Sequence, residues 1–107
     1  MMDESAYDKL VARSFRRVED ALAEVDPDVV EVSATGDMLT LQLASGVRCI
    51  LNTQRAVRQL WLAARASAWH FSYDAEQDAW LDDKGRGDLW TILGATLKEL
   101  SGQTLLT

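Results

Sequence analysis

Six carboxylates, Glu19, Asp20, Glu24, Asp26, Asp28 and Glu31, crowd one short stretch of this chain. Carboxylates gathered in this way raise the local negative potential and recruit cations. Asp20 and Glu24 stand four apart, a spacing that on a helix puts two like charges on one face, where a bound cation would relieve their repulsion. Every donor in the group is a hard oxygen, with no histidine or cysteine among them, so the chemistry is labile binding of iron, calcium, magnesium or manganese rather than tight transition-metal capture. A plainer reading shares the same residues. Lys9, Arg13, Arg16 and Arg17 fall on the outward face with Asp20 and Glu24, and Arg16 can reach Asp20 at i+4, which would make part of the group a solvated, ion-paired surface.

A second constellation lies in Gln59-Leu60-Trp61-Leu62. The period of two along a strand puts Leu60 and Leu62 on one face and Trp61 on the other. With the leucines in the core, Trp61 stands on a wet face, Asn52 and Gln54 can lie beside it, and Arg48, Arg55, Arg58 and Arg65 supply positive charge. An exposed aromatic among amides and arginines has the composition of an interface hot spot. Here too a single surface aromatic can be ordinary packing. Trp69, Trp80 and Trp90 read as core or cross-strand packing.

Much catalytic equipment is missing. His70 is the only histidine and Cys49 the only cysteine, so multi-histidine metal sites, disulfide frameworks and Cys-rich metal sites lack parts. Cys49 sits in an apolar run and reads as a small hydrophobe, and His70 as a strand residue with a satisfied hydrogen bond. The six glycines are too scattered for a phosphate-binding loop. The chain is not expected to be a conventional enzyme. A net charge of −6 argues against nucleic acid as a partner, and no segment reads as an export signal or a membrane span. Charge is also unevenly placed: residues 38–73 hold four arginines and no acid, between acidic flanks.

The elements that must position these residues are legible from hydrophobic spacing. Tyr7, Leu10, Val11, Phe15, Val18, Leu22 and Val25 follow helical periodicity, with Asp3 or Ser5 as cap and Pro27 helping to end the helix. Short β-prone runs follow at 29–34, 38–43, 47–51, 59–64, 69–73 and 79–81, punctuated by Gly36-Asp37, Ser45-Gly46 and the polar stretch 74–78. Asp88 can cap a second helix with Leu89, Ile92, Leu93, Thr96, Leu97 and Leu100 on one stripe and Gly102 just past its end. With 107 residues and 48% apolar content, we expect one domain over 1–107 of α+β class, two terminal helices packed on one face of a roughly six-stranded antiparallel sheet.

Several of these stretches resemble the frataxin family, its bacterial CyaY-type members in particular. Asn52-Thr53-Gln54 followed by Gln59-Leu60-Trp61-Leu62 is similar to that family's Asn-x-Gln and Gln-(Ile/Val/Leu)-Trp-Leu signature. Gly36 to Leu43, Trp69-His70-Phe71-Ser72-Tyr73, Trp80 and Leu93-Gly94-Ala95-Thr96-Leu97 resemble other family segments in the same order. One departure is the acidic run, which Ala21, Ala23 and Val25 interrupt. The resemblance implies a frataxin-like sandwich in the bacterial cytoplasm, with iron (Fe2+ or Fe3+) held weakly by Glu19, Asp20, Glu24, Asp26, Asp28 and Glu31. It implies docking through Asn52, Gln54, Trp61, Arg55 and Arg58 on the cysteine desulfurase and iron–sulfur scaffold protein, and delivery of iron or regulation of cluster formation. It implies a monomer when iron-free, open to iron-dependent oligomers, and the other reading it leaves open is an iron-storage or ferroxidase-like protein acting by metal-driven self-assembly.

Overall fold

The structure, a computed structural model, describes residues 2–106. Its elements follow one another as α1 (Glu4–Leu22), β1 (Val30–Thr35), β2 (Met38–Leu43), β3 (Arg48–Gln54), β4 (Gln59–Ala64), β5 (Ser67–Asp74), β6 (Ala79–Asp82) and α2 (Leu89–Ser101). The six strands form one sheet in chain order, each antiparallel to the next. That is the expected meander with a helix at either end.

Local chemistry sets the helix limits. The Asp3 carboxylate accepts from the Ala6 N–H at 2.8 Å and Asp88 from the Thr91 N–H at 3.3 Å, each satisfying an otherwise orphaned donor of a first turn. Gly102 ends α2 at φ 76°, its N–H donating to the Lys98 carbonyl, a left-handed cap that glycine adopts without penalty. Helix α1 stops at Leu22, short of the Val25 that periodicity assigned to it. A residue before proline is pushed out of the helical region, and Asp26 instead builds a turn, its side chain accepting from the Asp28 N–H and its carbonyl from the Val29 and Val30 N–H groups. Strands β3 and β5 run longer than their apolar stretches, because Asn52 to Gln54 pair with Trp61 to Gln59 and Ser67 and Ala68 pair with Ala64 and Ala63.

One face of the sheet is covered. Leu39, Leu41, Leu43, Cys49, Leu51, Leu60, Leu62, Phe71 and Trp80 point under the helices and meet Tyr7, Val11, Phe15, Val18 and Leu22 of α1 and Leu89, Ile92, Leu93 and Leu97 of α2. Each fully buried leucine or phenylalanine contributes about 1.5–3 kcal/mol. The residues between them in the strands are left on the other face, which no element of the described residues covers. Trp80 belongs to this core, and Trp69 and Trp90 pack against its edge, as expected.

Candidate docking face and acidic edge

Register assembles the open face. Asn52 lies directly opposite Trp61, Gln54 opposite Gln59, Trp61 opposite His70 and Gln59 opposite Ser72, and opposite residues of antiparallel strands share a face. Leu60 and Leu62 are buried while Trp61 is half-buried among polar neighbours, so the alternation holds. Two contacts fix the indole. Its ring stacks on the His70 imidazole with centroids 3.9 Å apart and planes 9° from parallel, and its N–H donates to Gln59 Oε1 at 2.8 Å. The Gln59 amide in turn donates to Ser72 Oγ at 3.1 Å and to Asp83 Oδ2 at 2.6 Å, and the Ser72 hydroxyl donates to Asp83 Oδ1 at 2.9 Å. The His70 ring is exposed and stacked on Trp61, and among the described residues it makes no side-chain hydrogen bond.

The arginines do not all gather at Trp61. Arg48 lies on the open face opposite Gln42, and Arg65 sits in the β4–β5 turn. Arg55 begins a 3-10 turn (Arg55–Val57) that swings the chain past the end of β3 toward α1. There it pairs with Asp37 at 2.8 Å and with Asp8, which raises the guanidinium's already high pKa, while the same contact holds the Asp37 carboxyl below the usual range. Arg58, left-handed at φ 54°, donates to the Arg55 carbonyl at 2.6 Å. Both guanidiniums sit within 6 Å of the Tyr7 ring, at 5.8 and 5.7 Å, and the Tyr7 hydroxyl donates to the Gln59 carbonyl at 2.6 Å. This pair thus brackets the seam between α1 and the sheet.

The acidic edge is dispersed. Glu19 and Asp20 occupy the last turn of α1, Glu24, Asp26 and Asp28 the loop into β1, and Glu31 the open face of β1 opposite Gln42. All six are exposed. Glu24 lies beyond the end of α1, so it does not share a helix face with Asp20 as the spacing suggested. Among the described residues none of the six forms an ion pair, and no three acidic, histidine or cysteine side chains converge as a preformed metal cage. The expected Arg16–Asp20 pair does not form. The α1 arginines are used elsewhere: Arg13 pairs with Asp78, which also accepts from the Tyr73 hydroxyl, and Arg17 lies 3.7 Å above the Trp90 ring. What remains is a field of unneutralised carboxylates, suited to drawing a hard cation in without gripping it.

Three contributors escaped the sequence reading. Gln59 and Ser72 could have been placed by strand parity once the register was known. Asp83 follows β6 and no periodicity points to it. Neighbouring Asp82 is buried and receives the Arg86 guanidinium at 2.8 Å and the Lys84 and Arg86 N–H groups at 3.2 and 3.1 Å. The guanidinium, aided by those N–H groups, holds its carboxyl down at about 2.

A meander capped by a helix at each end, with helices on one face and a tryptophan-bearing wet face on the other, defines the frataxin-type sandwich. The chain belongs to the frataxin family: the family profile described as Frataxin-like domain matches residues 1–103. A relative named Iron-sulfur cluster assembly protein CyaY, from Cupriavidus taiwanensis, is 33% identical over 97% of this chain and 95% of its own length. A protein of the same name from Thioalkalivibrio sulfidiphilus is 40% identical over 80% of this chain and 76% of its own. Among solved structures, the frataxin of Psychromonas ingrahamii superposes with a TM-score of 0.88 at 26% identity, covering 96% of this chain and 95% of that one. The trimeric frataxin of Saccharomyces cerevisiae, complexed with ferrous, shares the fold at a TM-score of 0.64 and 20% identity over 96% of this chain and 90% of that one.

Proposed function

We propose that this chain is a cytoplasmic iron-binding accessory protein of iron–sulfur cluster assembly that docks on the cysteine desulfurase and scaffold complex, delivering iron or regulating cluster formation. The relatives' shared name supports the pathway. The observation that carries the docking reading is Trp61 standing beside Asn52 and Gln54 on a sheet face drawn from an acid-free segment, ordered yet uncovered. Arg58 and Arg55 lie at the rim of this surface, with Arg55 already committed to Asp8 and Asp37.

Iron is cargo in this reading. Glu19, Asp20, Glu24, Asp26, Asp28 and Glu31 hold it through exposed oxygens that form no ion pair among the described residues, so binding is micromolar or weaker and fades with salt. NMR of the iron-free chain tests both surfaces. Ferrous iron should broaden signals from the six acidic positions, while the desulfurase–scaffold complex should perturb Asn52, Gln54 and Trp61. If the complex left the sheet signals untouched and iron alone drove the chain into large assemblies, the storage reading would replace this one.

A further inference from the structure

We infer that Asp83 is a positioning residue for Trp61, presetting the indole for the partner through Gln59 and Ser72. The inference rests on the docking reading and adds residues that the reading itself does not need. Trp61 stands on an uncovered face, where a side chain ordinarily samples several rotamers, and ordering it on contact costs affinity. Here it is ordered in advance by the imidazole stacked at 3.9 Å and by the bond from its N–H to Gln59 Oε1. That bond survives only while the Gln59 amide presents oxygen to the indole, because an amide turned over would meet the indole N–H with its own NH2, donor against donor.

Asp83 settles which way the amide turns. A carboxylate accepts only, so it holds the NH2 end of Gln59 at 2.6 Å and leaves the oxygen end for Trp61, while its second oxygen takes the Ser72 hydroxyl at 2.9 Å. The backbone N–H of Asp83 also donates to the His70 carbonyl at 2.9 Å. One residue of the loop after β6 therefore anchors both members of the ring stack, one through its side chain and the other through its main chain.

Side-chain 15N–1H spectra and binding to the desulfurase–scaffold complex, measured on the same variants, test this. The Trp61 indole signal is the one lost in Trp61→Phe, and the Trp80 signal, whose N–H donates to Ser14 Oγ at 2.9 Å, is an internal control. Asp83→Ala should move the Trp61 signal, speed its exchange with water, leave Trp80 in place and weaken binding about two- to tenfold, the range for one lost hydrogen bond. Ser72→Ala should do the same more weakly, since Gln59 still reaches Asp83 directly. Asp83→Asn can offer Gln59 either an oxygen or an NH2, so it no longer fixes the amide and should fall between wild type and alanine in both signal and affinity. An unmoved Trp61 signal in Asp83→Ala and Ser72→Ala overturns the inference, even where Trp61→Ala weakens binding and the docking reading stands. Asparagine matching wild type overturns it too, since an acceptor-only side chain would then not be what orients Gln59. Unchanged affinity for Trp61→Ala overturns the docking reading and, with it, this use of Asp83.

Discussion

Asp82 and Cys49 show how much a single buried group in this small domain depends on its surroundings. The Asp82 carboxylate is out of water and satisfied on every side by Arg86 and the loop N–H groups. Removing it strands those donors, and Asp82→Ala should cost about 2–3 kcal/mol in urea unfolding at neutral pH. Its folded pKa near 2 lies below the ordinary 3.8, so the unfolded chain takes up the proton first as pH falls. The stabilisation is complete above roughly pH 4 and disappears toward pH 2. Unfolding curves of the wild-type chain and Asp82→Asn should therefore converge across that window, and a gap that stayed constant down to pH 2 would contradict the assignment. Burial pushes the Cys49 thiol up to about 11, leaving almost no thiolate near neutrality. Labelling by a thiol reagent at pH 8 should accordingly track the unfolded fraction and no other opening.

At the scale of elements, the last turn of α1 carries Glu19 and Asp20 and no base, where the helix dipole disfavours negative charge. Asp20→Asn should raise stability by about 0.3–1 kcal/mol while weakening iron binding, and calorimetry on one preparation can read both. A variant less stable than wild type would mean that Asp20 has a partner in solution. The end of this helix also marks where sequence reasoning ran out. Hydrophobic spacing continues through Val25, but Pro27 and the Asp26 turn decide the backbone first. Elsewhere the alternation of Leu60, Trp61 and Leu62 was enough to place the tryptophan on the open face, since parity follows from the pleat alone. The position of Arg55 was not legible, because its acidic partners come from α1 and the β1–β2 turn and only the folded chain brings them together. Asp83 was hidden for the same reason: its bonds join β4, β5 and a loop that no periodic signal describes.

Over the whole molecule, charge divides two regions that meet at Glu31, on the β1 edge of the open face. The dispersed carboxylates lie along the end of α1, the loop and the exposed side of β1, while the strands that follow present amides, aromatics and arginines. Cation capture and partner docking can then vary independently, provided Trp61 contributes to docking and not to the core. Its register opposite Asn52 and His70 puts it on the open face, away from the core. The most direct test is the affinity of Trp61→Ala for the desulfurase–scaffold complex, with melting temperature and iron binding followed alongside. The variant should melt close to wild type and bind iron unchanged, yet lose more than about 1 kcal/mol of binding, a loss that only a minority of interface residues produce. A folded variant that bound the complex as tightly as wild type would contradict the account.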